Sequence, residues 1–294
     1  MGAHQKPRVE LLVLDLDNTV WDWFHAWSAS FSALISELLR MTGLPRDVLE
    51  SEIRSVHQRR GTSEYSWLVG EVPSLQPFVT SGDAFKFFDQ AIHMQNSARK
   101  RETTLYPQVR ETLDYVRARR VPIVAYTESL EFWTEWRIKR VDLDGAIDRL
   151  YSSPDHDLPT GKTVEEMRTL DPDSYGLKLT ELRNVPRGVS KPDPVILRQI
   201  ISEYGAIPEK TAYVGDSLMK DVAMAQAVGA IDVHAEYGES FHEEGYDQLQ
   251  RVSHWHDADI EKEQSDEPGG LPVPSVVLRK GFEELLDLLD FGKS

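Results

Sequence analysis

The feature that most restricts the fold is a series of short apolar runs that alternate with segments of helical spacing. Four runs hold four to six residues each: Val9–Leu14, Val121–Tyr126, Thr211–Val214 and Ile231–Ala235. A further short strand is predicted near Ile147–Tyr151. Runs of this length are too short for core helices and are typical of strands buried on both faces. Because helical patterns lie between them, the sequence predicts an α/β fold, a doubly wound parallel sheet with helices on both faces.

The segment between the first two predicted strands has a helical character. Apolar residues recur there at helical spacing, as at Phe31, Leu34 and Leu38. A Gly/Pro-punctuated piece divides the segment near its middle, and helical spacing then resumes. We therefore predict a small helical domain over residues 21–101, inserted after the first strand.

The rest of the chain is assigned to the α/β core, which comprises residues 1–20 and 102–294. One stretch of this core, about 152–189, is rich in Pro, Asp and Gly and shows no clear period. We predict an irregular insert there, either a surface excursion or a small extra subdomain. A structureless loop of that length is unusual unless it is functional or mobile.

Composition limits the classes of function. The chain has 33 basic and 49 acidic residues, a net charge of -16, so it is a poor candidate for general nucleic-acid binding. It has no cysteine, which excludes disulfides, thiolate metal sites and a cysteine nucleophile. No apolar run approaches a membrane span, and Met1–Lys6 lack the apolar stretch of a signal peptide. We expect a cytoplasmic protein without nucleic-acid or membrane partners.

Polar side chains follow three of the predicted strands, where parallel sheets collect their ligands. Six residues are candidates for a common site at that edge: Asp15, Asp17, Thr127, Lys191, Asp216 and Asp221. Two carboxylates placed side by side after a buried strand repel each other and lose hydration. A hard divalent cation with oxygen ligands, most simply Mg2+, would neutralise the four aspartates. The lysine adds a fixed positive charge and the threonine a hydroxyl donor, so the set suits a phosphoryl group.

Each of these residues also has a plainer interpretation. A strand-end aspartate usually caps a turn or a helix. Thr127 alone is best read as the N-cap of the following helix, Lys191 as a solvated loop lysine, and Asp221 as an exposed helix residue. Because these interpretations require four coincidences, we favour the common site.

Four motifs resemble those of the haloacid dehalogenase superfamily and occur in its order. They are "DLDNT" at 15–19, the strand that ends in Thr127, "KPDP" at 191–194 and "GDSLMKD" at 215–221. The resemblance covers about Val9–Ala235. It implies a Rossmann-like core, with residues 21–101 as a cap domain that closes over the site and selects the substrate.

The resemblance also implies catalytic roles for four of the candidates. Asp15 would attack phosphorus in line and form an aspartyl-phosphate. Asp17 would protonate the leaving oxygen and then take a proton from the hydrolytic water. Thr127 would donate a hydrogen bond to a phosphoryl oxygen, and Lys191 would offset the charge of nucleophile and phosphate.

A magnesium site is implied in the same way. By resemblance, Asp15, the backbone carbonyl of Asp17 and Asp216 would hold Mg2+. Asp221 would support the metal directly or through water.

We therefore predict a magnesium-dependent phosphomonoester hydrolase that acts on a small phosphorylated metabolite. Dehalogenases of the superfamily need no proton donor for a halide and typically lack the second aspartate, so Asp17 argues against them. A phosphotransferase or mutase is an alternative, and so is a non-catalytic phospholigand-binding relative. The intact pair of Asp15 and Asp17 argues against the latter.

Two further sets of residues stand outside the motifs. The stretch "HWHDAD" contains four potential metal ligands, His254, His256, Asp257 and Asp259, although we favour a helix N-terminus with acidic caps. Candidate substrate contacts in the insert are Trp21, Trp23, His25, Arg59, Arg60 and Trp67. The tryptophans suit core packing at least as well.

Overall fold

A parallel sheet of seven strands forms the centre of the computed structural model, which describes residues 6–80, 82–155, 158, 161, 163, 171–257 and 271–292. The strands in these ranges are β1 (Leu11–Leu14), β2 (Ile123–Leu130), β3 (Arg149–Ser153), β4 (Glu181–Asn184), β5 (Thr211–Gly215), β6 (Ile231–Ala235) and β7 (Val276–Leu278). Their spatial order is β4-β3-β2-β1-β5-β6-β7, and all pairs are parallel. The prediction of an α/β fold with a doubly wound parallel sheet is confirmed.

The central strand β1 fixes the register of the sheet. Its last residue, Leu14, pairs with Ala125 of β2 on one side and with Val214 of β5 on the other. The next residue, Asp15, continues the ladder by donating its N–H to the carbonyl of Val214 at 2.8 Å. Residues that follow these three strands therefore emerge at one edge of the sheet.

Helices occupy the segments between the strands. Those of the described ranges are α1 (Trp23–Thr42), α2 (Arg46–Arg60), α3 (Leu68–Glu71), α4 (Ala84–Phe87), α5 (Asp89–Glu102), α6 (Val109–Ala118), α7 (Glu131–Arg140), α8 (Pro194–Glu203), α9 (Ala223–Val228), α10 (Tyr246–Val252) and α11 (Leu285–Leu288). In that part of the chain, no helix combines the length and apolar character that crossing a bilayer requires.

The two faces of the sheet bury separate apolar clusters. Leu12 and Leu14 face the cluster that includes Leu113 of α6, whereas Leu11 and Val13 face the cluster that includes Ile200 of α8. All four β1 side chains are fully buried, which explains the continuous apolar run. This pattern is typical of parallel strands that are covered on both faces.

The insert between β1 and β2 contains α1–α5 and has an apolar cluster of its own. Helix α1 and α5 are its main packed pair. Helix α10, which follows β6 in the chain, joins this cluster through Tyr246, Leu249 and Val252 and packs on α2. Buried His57 of α2 donates from Nδ1 to the carbonyl of Val252 at 2.6 Å. Helix α10 lies within residues 102–294, which the sequence analysis assigns to the core, but in the structure it packs against the insert.

Two strands of the sheet have no counterpart among the predicted elements. Strand β4, Glu181–Asn184, lies within the stretch 152–189 that was expected to be irregular, and its side chains are largely exposed. It pairs with β3 through the backbone at the edge of the sheet, so it needs no apolar signal. Strand β7 has only three residues. Most of 156–170 lies outside the described residues.

Candidate active site

Three acidic side chains converge at the carboxyl edge of the sheet. Asp15 follows β1 and Asp216 follows β5. Asp221 is the last residue but one of the π-helical turn Leu218–Val222. One carboxylate oxygen from each lies within 4.8 Å of the others. Among the described residues, this is the one group of three or more potential ligands that could hold a metal ion. We call it the acidic triad.

Lys191 lies inside this group as a buried cation. Its Nζ donates to Asp15 Oδ1 at 2.5 Å and to Asp221 Oδ1 at 2.9 Å. The ammonium also lies 5.3 Å from the ring centroid of Tyr126 and 5.5 Å from that of Tyr213. Since its side chain is only 3% exposed, the interpretation of Lys191 as a solvated loop residue is wrong.

Burial and mutual repulsion set the charge state of the triad. Burial raises the pKa of Asp15 to about 7; Lys191 opposes the increase, while Asp221 and Asp17 add to it. Burial, together with Asp15 and Asp221, raises the pKa of Asp216 well above its ordinary value. Burial alone would lower the pKa of Lys191, but Asp15 and Asp221 raise it well above normal. The site therefore holds one stable positive charge, on Lys191, which cannot compensate three ionised carboxylates.

Asp221 owes its position to a glycine. A Cβ on Gly215 would lie 2.3 Å from the carboxyl carbon of Asp221, so only glycine allows this approach. The Asp221 carboxylate accepts from the Ser217 N–H at 3.1 Å and from the Tyr213 hydroxyl at 3.1 Å. It is 2% exposed, and the interpretation of Asp221 as an exposed helix residue is therefore wrong.

The carboxylate of Asp17 has a different set of partners from the triad. Its Oδ1 accepts from Trp21 Nε1 at 2.6 Å, and its Oδ2 accepts from the Ser129 hydroxyl. Nη1 of Arg137 lies 3.8 Å from Oδ1. The side chain is 19% exposed, so it is the more open of the two motif aspartates.

The Thr127 segment is part of β2 and connects the second motif to the third. Thr127 Oγ1 accepts from the Ser129 N–H at 3.1 Å, and the residue that precedes α7 is Leu130, so Thr127 is not the N-cap of that helix. Glu128 Oε1 accepts from the Lys191 N–H at 3.0 Å, and its Oε2 accepts from Lys220 Nζ at 2.6 Å. These bonds hold the backbone of Lys191 beside β2.

Several residues of the site were not found from the sequence. They are Glu128, Ser129, Arg137 and Tyr213. Ser129 stands two positions after Thr127, so a polar "TES" at a strand end was the available signal for it. Arg137 lies in the middle of α7, where an arginine gives no sign of being buried.

Other sequence candidates bind elsewhere. Arg59 and Arg60 both pair with Glu71 inside the insert. In the cluster at 254–259, His254 Nδ1 bonds the Ser63 hydroxyl at 3.0 Å, and Asp257 pairs with Arg54. The described members of that cluster do not form a metal-binding group, and Asp259 lies outside the described residues.

The geometry defines a doubly wound α/β protein whose polar groups meet at the carboxyl edge of the sheet. The sequence model of the haloacid dehalogenase-like hydrolases matches residues 9–229, which is about three quarters of the chain. The chain belongs to this family. A search of curated protein sequences gave no match.

Solved structures of the family share the fold. One is an HAD phosphatase from Thermococcus onnurineus, with a TM-score of 0.54 and 16% identity, matched over 97% of this chain and 100% of that one. Another is a 2-haloacid dehalogenase from Pseudomonas syringae pv. Tomato DC3000, with a TM-score of 0.53 and 16% identity, matched over 95% and 97%. Relatives with different chemistry are thus similar in fold.

Proposed function

We propose that the protein is a magnesium-dependent phosphomonoester hydrolase that acts on a small phosphorylated metabolite. The observation that carries this proposal is the buried contact of Asp15 with Lys191 inside the acidic triad, with Asp17 two residues further on. This arrangement supplies a nucleophile, a compensating cation and a second carboxylate for proton transfer.

A divalent cation fits the triad by charge and by ligand type. Three ionised carboxylates and one ammonium leave two negative charges, which one Mg2+ would balance. Carboxylate oxygens are the ligands that this hard cation prefers. Asp15, Asp216 and Asp221 would hold it, with the backbone carbonyl of Asp17 as a further ligand. When bound, the cation supplies charge stabilisation to the phosphoryl oxygens.

Asp15 is the nucleophile in this mechanism. One of its carboxylate oxygens attacks phosphorus, and the bond from phosphorus to the ester oxygen breaks, which yields an aspartyl-phosphate. Lys191 holds the other oxygen in place and offsets the negative charge that accumulates between nucleophile and phosphate. The hydroxyl of Thr127 donates to a phosphoryl oxygen.

Asp17 transfers the protons. It gives a proton to the leaving alkoxide, then removes one from the water that attacks the aspartyl-phosphate, so that inorganic phosphate leaves and Asp15 is regenerated. Hydrogen bonds from Trp21 and Ser129 fix its carboxylate beside the site. Halide displacement needs no such proton donor, so a positioned Asp17 favours phosphate-ester chemistry over dehalogenation.

A phosphate-release screen tests the proposal. Purified protein is incubated with sugar, nucleotide and amino-acid phosphates in the presence of Mg2+ and without an added acceptor. We expect steady release of inorganic phosphate that a chelator abolishes. A second arm adds an alcohol acceptor: transfer of the phosphoryl group to that acceptor without release of inorganic phosphate would favour a phosphotransferase or a mutase. The absence of release from every ester would contradict the proposal.

Two variants identify the nucleophile. Asp15→Asn should remain folded and lose at least ~10³-fold in turnover, because an amide cannot form the acyl-phosphate. Asp232→Asn is the matched control, since Asp232 is also buried but bonds Ser275 and Gln226 at the other end of its strand. Turnover in Asp15→Asn equal to that of the control would exclude Asp15 as nucleophile.

A further inference from the structure

A buried series of charged side chains leads from Asp17 into the insert. Arg137 of α7 is its centre, with Nη1 at 3.8 Å from Asp17 Oδ1 and Nη2 donating to Glu64 Oε1. Glu64 belongs to the insert, in the segment between α2 and α3. The side chains of Arg137 and Glu64 are only 3% and 8% exposed. One guanidinium therefore touches both the core site and the domain above it.

Hydrogen bonds fix both carboxylate oxygens of Glu64 and its backbone carbonyl. Its Oε2 accepts from Trp23 Nε1 at 3.1 Å, and its backbone carbonyl accepts from Trp133 Nε1 at 2.8 Å. The guanidinium of Arg99 stacks over the Trp133 ring at 4.0 Å. Burial alone would raise the pKa of Glu64, but Arg137 and Arg99 hold it below its ordinary value, so the carboxylate stays charged.

The Nη1 atom of Arg137 is the unusual part of the series. It is buried and makes no hydrogen bond within the described part of the chain. A buried donor without an acceptor is unfavourable, and native proteins rarely leave one so. The facing acceptor is Asp17 Oδ1, and a movement of about 1 Å would bring the two atoms into hydrogen-bonding range.

We propose that Arg137 is a positioning residue that sets the place of the Asp17 carboxylate and links it to the insert through Glu64. This inference rests on the proposed function, in which Asp17 transfers the protons. Trp21, which packs in the core cluster of the sheet and not in that of the insert, and Ser129 of β2 already hold the two oxygens of Asp17. A shift of about 1 Å would make Arg137 Nη1 the third donor to Asp17, and the direction of that donor depends on where Glu64 holds the guanidinium.

The link gives the insert a way to act on chemistry as well as on substrate choice. When the insert is seated, Glu64 fixes Nη2 and the planar guanidinium directs Nη1 at Asp17. When the insert moves away, the guanidinium loses that partner and Asp17 loses its third donor. The proton donor is then fully positioned only in the closed protein, as expected for a lid that completes the catalytic group.

Leaving-group dependence separates this role from simple stabilisation. Phenyl phosphate has a poor leaving group that needs a proton, whereas p-nitrophenyl phosphate has a good one that needs it less. Arg137→Gln should therefore lower kcat on phenyl phosphate about tenfold more than on p-nitrophenyl phosphate. Asp17→Asn gives the pattern expected when the acid is lost altogether. In Arg137→Lys, the ratio of kcat on the two substrates should return part of the way to the wild-type value. Glu64→Gln should change this ratio in the same direction as Arg137→Gln.

The matched control is Arg149→Gln. Arg149 is also an arginine paired with carboxylates, Glu181 and Glu203, and its side chain is 19% exposed, but it begins β3 at the end remote from the site. Arg149→Gln should change kcat on both substrates by the same factor. If Arg137 and Glu64 act through one contact, the variant Glu64→Gln/Arg137→Gln should lose about as much as Arg137→Gln alone.

The outcomes distinguish the inference from the proposed function. An unchanged kcat ratio in folded Arg137→Gln would overturn the inference while phosphatase activity stands. If Arg137→Gln does not fold, the kcat ratios of Arg137→Lys and Glu64→Gln test the inference instead. A wild-type ratio in both of these variants would overturn the inference. Wild-type protein that releases phosphate from no ester would overturn the proposed function, and the inference with it.

Discussion

Asp15 and Lys191 are 176 positions apart in the chain and meet in a buried contact in which Nζ lies 2.5 Å from Oδ1. The same ammonium donates to Asp221 at 2.9 Å, so one lysine compensates two buried carboxylates. The sheet order places β1 between β2, beside which Lys191 is held, and β5, which leads to Asp221. Removal of one partner of a buried pair is costly because the other charge stays desolvated and uncompensated.

Lys191→Met should therefore destabilise the metal-free protein strongly. We expect the free energy of unfolding at neutral pH to fall by roughly 3–5 kcal/mol, measured by urea denaturation with a chelator present. Lys220→Met is the control, because Lys220 pairs with Glu128 and its side chain is 47% exposed; it should cost about 1 kcal/mol or less. Equal losses in the two variants would contradict the picture of a buried, compensating lysine.

The pH dependence of stability should carry a signature of Asp15. Burial raises its pKa from 3.8 to about 7, so between these values the folded protein binds more protons at Asp15 than the unfolded chain does. The contribution of this group to the free energy of unfolding is full below pH 3.8 and is lost as the pH rises through about 7, by up to roughly 4 kcal/mol.

The measurement compares wild type with Asp15→Asn by urea denaturation from pH 4.5 to 7.5 in the presence of a chelator. Groups remote from Asp15 cancel in the difference, whereas Asp216, whose pKa Asp15 helps to raise, contributes in the same direction as Asp15 itself. We expect wild type to lose stability relative to Asp15→Asn as the pH rises. A difference that is flat, or that grows in favour of wild type, would show that burial of Asp15 is not what sets its charge.

Mg2+ should stabilise the folded protein, and the gain should grow with the logarithm of its concentration above the dissociation constant. At 100 times its dissociation constant, a ligand specific to the folded state adds about 2.7 kcal/mol, which thermal unfolding detects without any substrate. Asp216→Asn should lose most of this gain because it removes one member of the triad. Asp232→Asn should keep the gain, and an equal gain in Asp216→Asn would place the cation elsewhere.

The parts of the fold that could be predicted from the sequence are those whose side chains are buried on both faces. Strand β1 is an uninterrupted apolar run because all four of its side chains are in contact with a core cluster. Asp15 and Asp216 were identifiable because they directly follow such runs. Strand β4 was not, since an edge strand pairs through its backbone and its "ELRN" sequence shows no alternation.

Contacts between distant segments explain what was missed. Helix α10 resembles a weak helix in an acidic, polar stretch, yet Leu249 and Val252 complete the apolar cluster of the insert. Arg137 has no motif around it, and its burial depends on Glu64, which is 73 positions earlier in the chain. A local sequence pattern shows which face of an element is apolar. The packing of α10 and the burial of Arg137 depend instead on which element lies against that face.

Gly238 provides a further test, because it brings the end of β6 against the turn that carries Asp17. A Cβ at this position would lie 1.7 Å from the carbonyl oxygen of Asn18, and that oxygen belongs to backbone that cannot move away easily. The neighbouring Tyr237 hydroxyl donates to the carbonyl of Thr19, so the two segments are also hydrogen-bonded. Gly238→Ala should push them apart.

We expect Gly238→Ala to lower the free energy of unfolding by about 1–3 kcal/mol and to lower turnover, since the turn 16–19 can no longer hold its position relative to Asp216. Gly70→Ala is the matched control: its added Cβ would meet the Phe85 ring at 3.3 Å, and a side chain can shift. Urea denaturation and phosphate release on both variants measure the two effects. Wild-type stability and turnover in Gly238→Ala would mean that this close approach does not position the site.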